Sequence, residues 1–104
     1  MPRESGIVNR IVKRIEREYP GCWHRKNHGS RFTPRGIPDL EFLINGVTVF
    51  LETKRPKGEG PKPAQVKMIR DLTAAGAYAY VARSPDEAST CVKLALRLMA
   101  EKYR

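Results

Sequence analysis

Three residues in the middle of the chain combine the chemistry needed to hold a metal ion near a phosphate. Asp39 is a carboxylate, and Glu52 follows it 13 positions later. Lys54 comes two residues after Glu52 and carries the opposite charge. Carboxylate oxygens are the preferred ligands of Mg²⁺. These residues act together only if the fold places them side by side.

A β-hairpin is predicted to provide this placement. The runs LEFLI and VTVFLETK are rich in strand-forming residues, and Asn45-Gly46 between them predicts a two-residue type I′ turn. In that register the numbers of facing residues add up to 91, so Asp39 faces Glu52. Because side chains alternate between faces, Asp39, Glu52 and Lys54 share one face. The opposite face is wholly apolar and contains Leu40, Phe42, Ile44, Val47, Val49 and Leu51.

Two facing carboxylates repel each other, and one lysine offsets only part of their charge. The remaining negative charge favours a divalent cation, of which Mg²⁺ is the natural choice. A bound metal ion makes its water more acidic and stabilises charge on a phosphate oxygen, as phosphodiester hydrolysis requires. The alternative is a pair of solvated acids with a surface Glu–Lys ion pair, which the predicted register disfavours.

The net charge indicates the partner. The chain has 20 Lys and Arg against 11 Asp and Glu, a net charge of +9, which favours a polyanion such as nucleic acid. Charge alone does not separate a nuclease from a non-catalytic nucleic-acid-binding protein. An RNA-binding module is less favoured, because no recognition-strand aromatic motif is present. The predicted phosphate contacts are Arg25, Lys26, Arg31, Arg35, Arg55, Lys57 and Lys62.

Aromatic and histidine side chains lie among the first group of these cations. Phe32 could stack on an unpaired base, whereas burial in the core is the preferred interpretation for Trp23. His24 and His28 are four residues apart, but no helix is predicted there. A phosphate contact is therefore favoured over a two-histidine metal site.

The first helix is predicted from Pro2 to Tyr19, where apolar residues recur at steps of three and four. Glu4 falls near the centre of its apolar stripe, Glu18 at the edge and Glu16 outside it. A carboxylate on an apolar stripe needs a partner. The alternative for Glu4 is a favourable interaction with the helix dipole.

The remaining elements complete the order α-β-β-β-α-β-α, an α/β sandwich in a single domain spanning residues 1–104. Strands are predicted at 22–27 and 77–82. The second helix begins at Pro63 and stops at Gly76, with Met68, Ile69, Leu72 and Ala75 facing inward. Ser84 caps the last helix, which ends near Lys102.

Apolar residues on the last helix cover more than one face, which predicts a second packing surface and a homodimer. No apolar run approaches the roughly 20 residues of a membrane span, and no leader resembles a signal peptide. We therefore expect a cytoplasmic protein that is not secreted. Cys22 and Cys91 lack zinc-ligand spacing and are expected to be reduced thiols.

The segment Gly36-Ile37-Pro38-Asp39, followed by Glu52-Thr53-Lys54, is similar to the PD-(D/E)xK nuclease motif. With Gln65 in the next helix and the run YVARSPDEA, the chain resembles the virus-type replication-repair nuclease (VRR-NUC) domain over roughly residues 3 to 98. The resemblance implies a restriction-endonuclease-like fold with a mixed central sheet. It also implies a homodimeric, structure-selective endonuclease for branched or junction DNA, in a bacterium or a phage-infected cell.

The resemblance further implies a role for each matching residue. Asp39, Glu52 and the main-chain carbonyl of Thr53 would bind Mg²⁺, for which Mn²⁺ may substitute, and Glu4 would reach the metal directly or through water. Lys54 would hold or help to deprotonate the attacking water. Gln65 would orient Lys54 or a phosphate, the alternative being a helix-start residue that meets solvent.

Overall fold

The chain follows the predicted order of helices and strands in a computed structural model that describes residues 4–28 and 31–103, with the side chains of the first helix described from residue 6. The elements are α1 (Glu4–Glu18), β1 (Trp23–Lys26), β2 (Leu40–Ile44), β3 (Val47–Thr53), α2 (Pro63–Ala74), β4 (Tyr78–Ala82) and α3 (Pro85–Lys102). No helix in this part of the chain is long and apolar enough to cross a membrane.

The strands form a mixed sheet in the order β1-β2-β3-β4. β2 is antiparallel to both β1 and β3, whereas β3 and β4 are parallel. Leu40 pairs with Leu51 and Ile44 with Val47, which confirms the predicted hairpin register. Asn45 and Gly46 have φ values of 50° and 80°, as a type I′ turn requires.

The core lies on one face of the sheet, where α1 and α3 pack side by side. α1 contributes Ile7, Ile11 and Ile15, all fully buried, at the helical spacing seen in the sequence. The hairpin contributes its predicted apolar face, and α3 contributes Val92 and Ala95. The Ser84 hydroxyl accepts a hydrogen bond from the Glu87 amide at 3.1 Å, which confirms the predicted cap of α3.

The other face is only partly covered, so the prediction for α2 holds only in part and the prediction for Trp23 fails. α2 packs mainly against β4 and has no buried residue, so Met68, Ile69 and Leu72 are half-buried and Ala75 is exposed. Trp23 was predicted to lie in the core, but it is 51% exposed. It lies on the edge strand opposite the exposed Leu43, on the face away from α1 and α3.

A close approach of two backbones positions α2 over the end of the hairpin. Gly36 has a φ of +80°, and a Cβ atom there would lie 2.2 Å from the Ala64 carbonyl oxygen. Only glycine fits this position, because any side chain would collide with the backbone of α2. The contact joins the loop that leads into Asp39 to the helix that carries Gln65.

Candidate active site

Glu52 is the most unusual charged residue in the described structure. Its side chain is 2% exposed near the end of β3. Its Oε2 atom accepts a hydrogen bond from Gln65 Nε2 at 2.8 Å and lies 3.4 Å from Lys54 Nζ. Its Oε1 atom is buried without a hydrogen-bond partner among the described residues. A buried carboxylate with an unsatisfied oxygen is unstable unless a further donor or a cation binds it.

Asp39 lies in the bend directly before β2 rather than in the strand, next to the Leu40–Leu51 pair. Its Oδ2 atom accepts hydrogen bonds from the Thr53 amide at 3.0 Å and from the Thr53 hydroxyl at 2.5 Å. The Asp39 carboxylate is therefore fixed to the end of β3, beside Glu52. Thr53 itself is fully buried.

The electrostatics of the pair follow from this geometry. Burial, and then the negative charge of Asp39, raise the pKa of Glu52 to about 7. Lys54, and to a smaller extent the main chain of Asp39, offset part of this increase in the pKa of Glu52. The site therefore lacks positive charge, and a cation between the two carboxylates would favour their ionised forms.

The donor set fits a hard divalent ion. Asp39 and Glu52 provide two carboxylates, the number with which Mg²⁺ is often held while it keeps several waters. The orphaned Oε1 atom of Glu52 has an unused lone pair for such an ion. Within the described residues, no group of three or more His, Cys, Asp or Glu side chains gathers around a common point. The side chain of Glu4, a predicted further ligand, lies outside the described part of the structure.

Gln65 connects the carboxylate pair to the start of α2. Its Oε1 atom accepts a hydrogen bond from the Lys62 amide at 2.8 Å, while its Nε2 atom donates to Glu52. Gln65 is therefore not a residue that simply meets solvent. The sequence predicted that it would orient Lys54 or a phosphate, whereas its described contact is with the carboxylate beside Lys54.

Asn27 is a site residue that the sequence analysis missed. Its amide donates to the Asp39 carbonyl at 2.7 Å, and its Nδ2 atom donates to the Pro38 carbonyl at 3.0 Å. These two bonds hold the Pro-Asp segment against β1. A single asparagine after a short strand carries no pattern that would reveal this role.

A cavity of about 390 Å³ opens beside Asp39 and Thr53, on the side of α1. Lys26, a predicted phosphate contact, lies at this cavity and donates a hydrogen bond from Nζ to Asn9 Oδ1 at 2.6 Å. Val8, Asn27 and His28 complete the lining.

Comparison with known proteins bears on the fold. No protein-family profile and no curated protein matches this sequence. A solved structure described as a VRR_NUC domain protein superimposes with a TM-score of 0.74 at 18% identity, covering 94% of this chain and 91% of that one. Another, described as a VRR_NUC domain, gives a TM-score of 0.64 at 24% identity, covering 82% of this chain and 92% of that one.

This chain has a VRR-NUC fold. The order α-β-β-β-α-β-α and the mixed sheet agree with it, so the predicted fold class is confirmed. At these identities the likeness concerns the fold, and the roles of individual residues stay predictions.

The predicted phosphate contacts are distributed around the VRR-NUC fold in three groups. Arg55, Lys57 and Lys62 line a concavity of about 500 Å³ together with Lys54. Arg35 lines a different concavity, next to α2. The third group lies on the β1 side, where Arg25 and Lys26 share a surface with His28 and the 84% exposed Phe32, and Arg31 stacks over Phe32.

Arg25 also forms an ion pair with Glu41, with 2.8 Å between Nε and Oε1. His24 packs its ring against Phe42, with 5.8 Å between the ring centroids. The Arg55–Lys62 segment shares a concavity with the candidate catalytic Lys54, whereas Lys26 lies at the cavity beside Asp39.

Proposed function

We propose that this protein is a metal-dependent DNA nuclease that hydrolyses phosphodiester bonds with Mg²⁺ or Mn²⁺. The observation that carries the proposal is the buried Glu52 carboxylate, with one unpartnered oxygen next to Asp39 and Lys54. Folded proteins rarely leave a buried charged oxygen unsatisfied unless a ligand completes it. A divalent cation would complete this one.

Asp39 and Glu52 would hold the ion, with the main-chain carbonyl of Thr53 and the side chain of Glu4 as further ligands. The bound metal would supply a more acidic water and would stabilise negative charge on the phosphate. The residues of the chain do the positioning. Gln65 fixes the orientation of the Glu52 carboxylate, and the Thr53 amide and hydroxyl fix that of Asp39.

In this proposal Lys54 acts on the substrate. Its side chain is 15% exposed, its Nζ atom lies 3.4 Å from Glu52 Oε2, and it lines the concavity that contains Arg55, Lys57 and Lys62. An ammonium group there would hold the attacking water and balance the charge that grows on the phosphate oxygens. The net charge of +9 would draw DNA to this site.

The preferred substrate in this proposal is branched or junction DNA, cut by a homodimer in the cytoplasm of a bacterium or a phage-infected cell. The exposed surface of α3 supports a dimer, because Leu98 is 39% exposed and the neighbouring Leu94 is only half-buried. Two copies of a basic site would suit a substrate with more than one duplex arm.

A cleavage panel tests the function. Supercoiled, forked and four-way-junction DNA should be cut with Mn²⁺ or Mg²⁺ and spared with EDTA, and Lys54→Ala protein should not cut. Equal cutting by Lys54→Ala protein would refute the role of Lys54. A non-catalytic DNA-binding protein, the alternative, would retain these DNAs under every metal without cutting, and Lys54→Met would not alter its binding.

A further inference from the structure

Arg83 follows β4 and holds the middle of the loop formed by residues 54–62, which we call the basic loop. Its Nη1 atom donates to the carbonyl of Arg55 at 2.6 Å and to that of Gly58 at 3.3 Å. Its Nη2 atom donates to the Glu59 carbonyl at 3.2 Å. One guanidinium thus binds three main-chain carbonyls of a single loop.

The basic loop is also fixed at both ends. At its start the Lys54 amide donates to the Ala82 carbonyl at 3.1 Å, continuing the pairing of β3 with β4. At its end the Lys62 amide donates to Gln65 Oε1. The Arg83 amide donates to Glu87 Oε1 at 3.0 Å, so the backbone from which the guanidinium extends is itself tied to α3. Arg83 therefore holds the part of the basic loop that lies between these two fixed ends.

The basic loop presents cations around one concavity of about 500 Å³. Its lining includes Lys54, Arg55, Lys57 and Lys62, with Glu59 as the acidic member. A concave arrangement of ammonium and guanidinium groups suits the phosphates of a nucleic acid backbone. Both Nη atoms of Arg83 donate to main-chain carbonyls of the basic loop, and Arg83 is not among the residues that line the concavity, so it shapes the concavity through the backbone of the loop.

We propose that Arg83 is a positioning residue that holds the basic loop as a preformed cradle for the DNA phosphates next to the one that is cut. This inference rests on the nuclease function proposed above. A loop that is ordered before binding loses less conformational entropy when DNA binds. The planar fork of an arginine matches several carbonyls at once, which the single ammonium of a lysine does not.

Limited proteolysis tests the clamp without DNA or metal. Trypsin does not cut before proline, and Arg55 and Lys62 both precede proline, which leaves the bonds after Lys54 and Lys57. Lys54 is 15% exposed and its amide is bonded to β4, so the bond after the exposed Lys57 is the accessible tryptic site inside the loop. We expect Arg83→Met to speed cleavage of this bond about tenfold, because cleavage follows the open population of the loop. Arg83→Lys should give an intermediate rate.

The matched control is Arg97→Met, which removes the same charge from an exposed position of α3. Its rate of cleavage at Lys57 should equal that of the wild type. Circular dichroism melting identifies any variant that has lost its fold. If Arg83→Met is unfolded, the cleavage rate of Arg83→Lys tests the clamp instead. An unchanged rate in both folded Arg83 variants would overturn the clamp.

The cradle is tested by measuring the affinity of the protein for DNA in Ca²⁺ at a series of salt concentrations. Each phosphate contact contributes about 0.9 to the slope of log affinity against log salt. If the loop disengages as a unit, Arg83→Met should reduce that slope by about two or more, whereas loss of one direct phosphate contact would reduce it by about one. A reduction of one or less, or the same reduction in Arg97→Met, would refute the cradle. If wild-type protein binds no DNA, the proposed function fails, while proteolysis still decides the clamp.

Discussion

Glu52 and Glu18 are two carboxylates in contact with other elements, and their surroundings are opposite. Glu18 ends α1 and faces α3, where its Oε1 atom accepts a hydrogen bond from the Ser89 hydroxyl at 2.6 Å. Its Oε2 atom lies 3.2 Å from Arg14 Nε and 3.8 Å from Lys93 Nζ. Both oxygens of Glu18 thus have partners, whereas one oxygen of the more deeply buried Glu52 has none among the described residues.

The pKa values reflect this difference. The hydrogen bond from Ser89, followed by the contacts with Arg14, lowers the pKa of Glu18. Burial and Asp39 raise that of Glu52. The Glu18 carboxylate joins two helices, and both of its oxygens have partners. The Glu52 carboxylate has one oxygen without a partner among the described residues, so this oxygen is available to a ligand. Four experiments test whether this contrast separates a structural joint from an active site.

The largest expected difference is in DNA cleavage. Glu52→Gln keeps the shape of the side chain but removes its charge, so cleavage of a four-way junction in Mn²⁺ should fall by about a thousandfold or more. Glu18→Gln should stay within about twofold of the wild type, because its partners lie between helices. Comparable losses of cleavage in Glu52→Gln and Glu18→Gln would show that the two carboxylates do not differ in their importance for activity.

Metal binding should separate the same two variants. At about one hundred times its dissociation constant, Mg²⁺ should stabilise the wild type and Glu18→Gln by about 2.7 kcal/mol. Glu52→Gln should gain far less, since it has lost one of the two carboxylates. Urea unfolding with Mg²⁺ and with EDTA measures the difference, and an equal gain in all three proteins would argue against this metal site.

In EDTA the stability of the protein should depend on pH through Glu52. A carboxyl group whose pKa is raised from 4.5 to about 7 by folding contributes stability that is present below its unfolded pKa. This stability is lost as the pH rises through about 7. Between about pH 5 and about pH 8, the wild type should therefore lose roughly 2 kcal/mol relative to Glu52→Gln.

The control is Glu16→Gln, which removes one carboxylate from an exposed position of α1 and leaves Glu52 in place, so the pH dependence caused by Glu52 should remain. Parallel curves for the wild type and Glu52→Gln would show that Glu52 ionises normally in the fold.

The smallest effect is expected at the joint between α1 and α3. Ser89 is 1% exposed, so Ser89→Ala leaves a Glu18 oxygen without its donor and should cost about 1 to 2 kcal/mol in unfolding free energy. Thr90→Ala, at the neighbouring exposed position of α3, should be close to neutral. Cleavage activity should not change in either variant, and a loss of activity in Ser89→Ala would connect the joint to the active site.

The parts of the structure that follow from local rules were predicted correctly from the sequence. Asn45-Gly46 determines a turn, the turn determines the register, and the register brings Asp39 beside Glu52. Helix periodicity likewise identified the core of α1. These features depend on residues close together in the chain.

The parts that depend on how distant elements pack were wrong or were missed. Trp23 is exposed because α1 and α3 lie on the same face of the sheet, which no residue near Trp23 indicates. The apolar stripe of α2 is only half-buried, because α2 lies mainly over β4. The hydrogen bonds of Asn27 and Arg83 end on main-chain carbonyls, so their partners have no sequence pattern.

The two-residue turn also determines which changes of chain length the site tolerates. One residue inserted between Asn45 and Gly46 must either enlarge the turn or shift β3 by one position against β2, and a one-residue shift exchanges the two faces of a strand. After such a shift Glu52 would turn toward the apolar core, and Leu51 toward the candidate metal site. The two-residue turn at the far end of the hairpin thus sets the separation of 13 positions at which the two carboxylates of the candidate active site face each other.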